Sequence, residues 1–273
     1  MTRLPALGLA WAWLVLFALA PLAAIAIVAL SAPADSVPPF VFAWDLTSLG
    51  AAATDPLYRS ALGLSLRLAA IAAAGCLALG YPMALAIARA PARWRGVLLL
   101  AAMLPFWTGF TMRISAWIGL LRDDGWIDRA FVLLGFAPPR LLYTDTAMWI
   151  GAIYSYLPFM VLPIYARLSK RDPGLEDAAA DLGCAPVWVF FRVTLPLSLP
   201  GVAAGVALVF IPATGEFVIP ELLGGPGARL IGRVLWDEFF NNRDWPMAAS
   251  LAILLLPILL VPPLCVRLAR RRP

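Results

Sequence analysis

The densest chemistry in this sequence is a pair of adjacent carboxylates, Glu176 and Asp177, followed by Ala178, Ala179, Ala180, Asp181, Leu182 and Gly183. Pro173 and Gly174 punctuate the chain just before them, and acids in a first helical turn suit the positive end of the helix macrodipole. Small side chains let another backbone approach closely, and Gly183 can close the helix in a left-handed turn. Leu195-Pro196 then redirects the chain. This spacing predicts a short helix lying outside the membrane. A second set of charges, Arg67, Arg113 and Glu216, lies inside strongly apolar stretches. Arg113 and Glu216 would each cost about 2.5 to 3.5 kcal/mol if left facing lipid, so both are expected to face the interior of the bundle.

Other chemistry is excluded. The sequence has no histidine, which removes histidine triads, the usual histidine-containing zinc sites and the commonest general base. Cys76, Cys184 and Cys265 stand far apart with no CxxC spacing and read as packing residues. The only lysine, Lys170, lies outside any glycine-rich loop, and no GxxxxGK[ST] run is present, so nucleotide hydrolysis is not expected here. Asp123-Asp124 is an adjacent acid pair at the end of an apolar stretch, where a loop role is ordinary.

The elements that must position these residues are helices in lipid. Hydrophobic residues make up 62% of 273 positions and charged ones 14%, more apolar surface than one soluble globule needs. About 20 apolar residues in a helix span the hydrocarbon core, and lipid forces the backbone to satisfy itself. The expected fold is all-α, a polytopic inner-membrane bundle in one domain, residues 1–273. About six transmembrane helices are predicted, near residues 9–30, 60–88, 96–121, 146–167, 199–220 and 247–266. The first is read as a retained helix, longer than a signal-peptide core. Many of the 25 prolines fall in or beside these spans, among them Pro82, Pro105, Pro158, Pro163, Pro212, Pro220 and Pro257. Kinked or interrupted helices suit a solute crossing through the middle, although proline is common in membrane helices generally.

Charge sets the orientation. With the N-terminus cytoplasmic, the inner side carries twelve cations (Arg3, Arg89, Arg93, Arg95, Arg167, Lys170, Arg171, Arg192, Arg267 and Arg270 to Arg272) against four acids. The outer side carries seven cations against eleven acids, leaving Glu216 aside. The positive-inside rule therefore puts both termini in the cytoplasm. The acidic outer side favours approach of a cationic solute or a basic partner, or is simply a solvated loop set.

Asp177-Ala178-Ala179-x-x-x-Gly183, nine further residues, then Val193-x-Leu195-Pro196 resembles the EAA loop of ABC importer permeases. In that family the loop helix docks in a groove on a cytoplasmic ATPase. The family's leading Glu is Asp177 here, preceded by Glu176, so both carboxylates remain candidates for that contact. A more particular resemblance covers residues 60–262. The runs Phe106 to Trp117, Tyr156 to Tyr165, Gly215 to Pro226, and Ile231 to Trp236 with Phe239 to Pro246 look like putrescine and spermidine permeases, the last most like the putrescine-type subunit.

The resemblance implies a type I ABC importer permease fold with residues 60–262 as its core and 170–197 as the cytoplasmic coupling loop. Coupling would fall to Glu176, Asp177, Ala178, Ala179, Gly183, Leu195 and Pro196. It also implies partners: a second homologous permease, two ATPase subunits holding ATP and Mg, and a periplasmic polyamine-binding protein, all around a lipid bilayer and without nucleic acid. The chain itself is expected to bind no cofactor or metal and not to be an enzyme.

For the solute path, Glu216, Asp123, Asp124, Trp107 and Trp117 offer carboxylates and aromatic faces to an amine. Arg113 is expected to pair with Glu216, either released when an amine competes for the carboxylate or as a permanent bridge between helices. In the outer segment 221–246, Trp236, Asp237, Glu238, Asn242 and Arg243 have the mix of aromatic anchors and charged rim that suits docking of the binding protein. The alternative for those aromatics is a membrane-interface belt. The alternative for the whole chain is an ion-coupled secondary transporter of a small cationic solute, with Arg67, Arg113 and Glu216 as its relay.

Overall fold

The structure is a computed structural model that describes residues 3–172 and 174–269, with side chains described from Trp11 to Leu260 apart from position 173. The elements in order are α1 (Arg3–Ala29), β1 (Ser31–Pro33), β2 (Phe40–Phe42), α2 (Thr47–Thr54), α3 (Pro56–Arg89), α4 (Ala92–Met103), α5 (Phe110–Leu121), α6 (Trp126–Leu133) and α7 (Asp145–Leu168). Then follow α8 (Gly174–Asp181), α9 (Pro186–Val189), α10 (Leu195–Thr214), α11 (Val218–Leu223), α12 (Ile231–Trp236) and α13 (Trp245–Ala269). Among the described residues, four helices are long and apolar enough to cross a membrane. The bent pair Ala92–Trp107 and Phe110–Leu133 makes a fifth, and α13, apolar over Trp245–Leu260, stands where the sixth was expected.

Two spans depart from expectation. The third, predicted as continuous over 96–121, is two helices meeting at 89°. Pro105 lies in a 3-10 turn over Leu104–Trp107, and Thr108 and Gly109 are extended, with ψ of 143° and 142°, so the helical hydrogen-bond ladder stops and restarts. The fifth, predicted to reach residue 220, ends at Thr214. Beyond it the Glu216 carboxylate takes over the cap of α11, which separates Glu216 from the span it was expected to occupy.

The chain divides into two compact units. One comprises residues up to Leu62 with Ile231–Leu260. In it α1 presents Trp11, Trp13, Phe17 and their neighbours on every side, as expected of a helix surrounded by lipid or other subunits. The two-stranded antiparallel hairpin pairs Ser31 with Phe42 and Pro33 with Phe40, and a small core gathers Ala52, Ala61, Ile231, Val234 and Leu251.

The other unit, from Gly63 to Leu230 together with the C-terminal residues, holds the main core, and α7 against α10 is its largest helix pair. Gly201 and Gly205, four residues apart, make that approach possible. A Cβ on Gly201 would stand 2.6 Å from the Pro163 carbonyl oxygen, and one on Gly205 2.7 Å from the Met160 sulfur. Small residues at this spacing are how membrane helices come close without a hydrophobic driving force. Cys76 is buried here and its thiol donates to the Ile153 carbonyl at 3.3 Å, in keeping with a packing role, while Cys184 is half-buried. The side chains of Cys265 and of the C-terminal arginines lie outside the described residues.

Candidate coupling and translocation sites

The short helix predicted here is present as α8. The Asp172 carboxylate accepts the Gly174 N–H at 3.0 Å and starts it. At its other end Gly183 sits at φ +81°, its N–H donating to the Ala180 carbonyl at 2.8 Å and that of Cys184 to the Ala179 carbonyl at 3.1 Å. This paired closure is the Schellman motif, and it explains why glycine stands at 183. Nothing lies within 4 Å of a Cβ built there, so within this chain it is the backbone angle, not crowding, that requires glycine.

Glu176 and Asp177, neighbours in the first turn, point to different surroundings. Glu176 accepts from the Arg171 guanidinium and the Thr194 hydroxyl, and Arg89 Nη2 stands 3.5 Å from its second oxygen. Asp177 is exposed and makes no side-chain hydrogen bond or ion pair among the described residues. Ala178 is exposed and Ala179 half-buried. Leu195 packs against the core, and Pro196 occupies the first turn of α10, where its missing N–H costs nothing. Between α8 and the helix that follows, a hollow of about 630 Å³ is lined by Ala179, Leu182, Gly183, Cys184, Trp188 and Arg192, among others. The Arg192 guanidinium lies 5.1 Å from the Trp188 ring centre.

The interior charges are partnered otherwise than expected. Glu216, 8% exposed, takes the Tyr156 hydroxyl on Oε2. Its Oε1 faces the N–H groups of Phe217, Val218 and Ile219 at 3.0, 2.9 and 3.4 Å. Arg113 is not its partner. Arg113 is 7% exposed, its Nε and Nη1 are buried without a hydrogen-bond partner, and its guanidinium lies 5.3 and 5.6 Å from the ring centres of Phe106 and Phe110. The expected Arg113 to Glu216 bridge therefore gives way to a tyrosine contact on one side and aromatic faces on the other. Ring contacts connect the two: Phe106 stands edge-on to Phe159 at 4.9 Å, and Phe159 lies 6.3 Å from Tyr156.

Trp117 packs edge-on to Tyr154 at 5.4 Å, whereas Trp107 is exposed on the bend. Asp123 and Asp124 lie on an exposed turn after α5, where Asp124 adopts φ +61° and its N–H donates to Asp128 at 3.0 Å, unlike the buried Glu216. Arg67, expected to be a buried charge, is exposed and lies 5.7 Å from the Trp149 ring centre, so Arg67, Arg113 and Glu216 do not form one hydrogen-bonded relay. Sequence reasoning passed over Tyr154, Tyr156 and Phe159 as functional candidates. Their spacing along α7, two and three residues apart beside Pro158, was the available signal.

In the first unit, Trp236 packs on Phe240 at 4.2 Å and Phe239 stacks on Trp245 at 4.8 Å. Asp237 accepts from Arg233 Nε at 3.1 Å and from Asn241 at 2.7 Å, while Glu238 accepts from the Tyr58 hydroxyl at 3.0 Å and from Asn242 at 2.9 Å. These acids are committed within the unit. Arg243, exposed and at φ +55°, lines an open hollow of about 500 Å³ with Asn242, Asp244 and the hairpin residues Pro33 to Val37. The hairpin was not expected.

Interrupted helices in an apolar chain with several spans suit a protein that moves a solute across a membrane. The chain belongs to the family described as binding-protein-dependent transport system inner membrane component, whose pattern matches residues 4–272. It is 41% identical over 203 residues to the spermidine/putrescine transport system permease protein PotB of Escherichia coli K12, covering 74% of each chain. To the PotB of Haemophilus influenzae it is 40% identical over 201 residues, covering 73% of this chain and 70% of that one. Among solved structures, a bacterial alginate ABC transporter in complex with alginate pentasaccharide-bound periplasmic protein matches with a TM-score of 0.71 at 17% identity, over 98% of this chain and 93% of that one, a likeness of fold. The chain is thus a multi-pass permease subunit of the inner membrane and not an enzyme.

Proposed function

We propose that this chain is a transmembrane subunit of an ATP-driven importer that moves polyamines, putrescine or spermidine, from periplasm to cytoplasm by alternating access. The observation that carries the substrate class is the 41% identity to a spermidine/putrescine permease over three quarters of both chains. In this reading both termini are cytoplasmic, a second homologous permease completes the path, and two ATPase subunits carrying ATP and Mg sit under α8 and its hollow. Exposed Asp177 and Leu182 beside Trp188 support that docking role. A periplasmic polyamine-binding protein meets the surface that includes Trp236, Asn242 and Arg243, now with the hairpin added.

Glu216 is the carboxylate best placed to receive an amine. It is interior and sits at a helix break, where non-helical backbone in a membrane is expected to line a path. The test is uptake of labelled putrescine and spermidine into vesicles holding this chain with its companion permease, ATPase and binding protein. Transport that requires ATP and the binding protein, with competition between the two polyamines, supports the reading. Uptake by this polypeptide alone without ATP would instead identify an ion-coupled carrier.

A further inference from the structure

Two adjacent carboxylates on a short helix cannot do the same work. Successive residues are turned by about 100° around an α-helix, so a side chain directed toward the membrane domain leaves its neighbour directed away from it. In α8 that division is complete. Glu176 has only 17% of its side chain exposed, and its Oε1 already accepts from both Arg171 and Thr194. Arg171 is itself largely buried, at 11% exposure, and Thr194 is fully buried at the entry to α10. Arg89, the last residue of α3, approaches the other oxygen more loosely and from a half-exposed position. One carboxylate therefore gathers the end of α3, the segment after α7, the helix α8 and the start of α10.

Asp177 shows the opposite pattern. It is exposed and without a side-chain partner among the described residues. Asp181 lies four residues on, on the same face, and is exposed as well. An acidic face that forms no ion pair among the described residues is complementary to a basic surface on the subunit that α8 meets.

We infer that the two carboxylates divide coupling between them, Glu176 as the internal tie that makes α3, α7 and α10 follow α8, and Asp177 as the outward contact for a basic side chain of the ATPase. The inference rests on the reading of α8 as the ATPase-docking helix. Glu176 is on this account a positioning residue, acting through Arg171 and Thr194 rather than on the partner.

The two roles separate in the whole complex, purified with its ATPase and binding protein. Asp177→Asn should lower the ATPase recovered per permease by at least about tenfold at low salt, a deficit that narrows as salt rises because the charge pair it removes is itself screened. Glu176→Gln should leave that recovery unchanged while lowering solute moved per ATP hydrolysed by about tenfold, the usual size of a coupling between sites. Arg171→Gln should reproduce the effect, and the double variant should be no worse than either single one. Thr194→Val supplies the same readout if Glu176→Gln accumulates poorly. The inference is overturned if Glu176→Gln loses the ATPase as Asp177→Asn does, or if Asp177→Asn assembles and couples normally. Recovery of no ATPase with the unaltered chain would overturn the docking reading as well, which distinguishes the two failures.

Discussion

The Tyr156 hydroxyl donates a hydrogen bond to Oε2 of Glu216, joining the middle of α7 to the break between α10 and α11. The other carboxylate oxygen accepts from the N–H groups at the start of α11, so one side chain both shapes the break and places a carboxylate in the interior. An amine arriving there has to compete with a phenol, which is neutral, and not with an arginine.

Glu216→Gln keeps an oxygen for the cap but removes the charge. In an assembled complex whose ATPase still responds to the loaded binding protein, polyamine uptake should fall by at least about tenfold, as loss of one charge-assisted contact of about 1.5 to 3 kcal/mol implies. Tyr156→Phe should keep the charge and lower uptake less. Normal uptake by assembled Glu216→Gln removes Glu216 from the path.

Arg113 is a buried cation that faces two rings and has no hydrogen-bond acceptor among the described residues. Burying a charge without such a partner carries a desolvation penalty that an apolar side chain of similar length does not. Arg113→Met should therefore leave the melting temperature of the detergent-purified complex unchanged or raised. A clear fall in melting temperature would mean that the guanidinium finds an acceptor in the assembled transporter.

Gly183 holds the left-handed position of the closure after α8. Gly183→Val forces a β-branched residue to φ +81°, a conformation costing roughly 1 to 2 kcal/mol even for an unbranched side chain, and should reduce coupled uptake severalfold. Gly183→Asn, which tolerates that angle, should retain most of it. If both variants fail equally, the partner subunit packs directly on this glycine and the backbone angle is not the cause.

Val37, at the tip of the hairpin, is 89% exposed and lines the hollow with Arg243. A cysteine placed there, carrying a photoreactive crosslinker, should capture the binding protein during turnover and give no such adduct when the binding protein is omitted. A reaction only with lipid would assign this face to the membrane boundary instead.

Much of the helical layout is legible in the sequence because long apolar runs in lipid leave few alternatives to a helix. Glu176, Asp177 and Gly183 were legible as a helix with its stop because acids at the start, alanines in the middle and glycine at the end each have a local cause. What could not be read was where a run of apolar residues stops being helical. Thr108 and Gly109 look like span residues by composition, and their extended backbone depends on Pro105 and on the packing of Phe106 against Phe159. Glu216 likewise reads as a buried charge, but that its own carboxylate caps the next helix follows from tertiary placement. The direction in which Glu176 points required Arg171 and Thr194 to be located, one of them 18 residues further along the chain.

The seam between α7 and α10 has a mechanical consequence. Gly201 and Gly205 lie one helical turn apart, each seated against a group of α7. A slide of about 6 Å along the axis, roughly four residues, would carry one glycine into the other's seat. It would also bring Leu197 or Val209 against the remaining seat, where even a methyl group does not fit. The pair therefore resists a change of register along the helix axes. Bending is easiest where the helical hydrogen-bond ladder is already interrupted, as at Thr108 and Gly109 and again at Gly215 and Glu216.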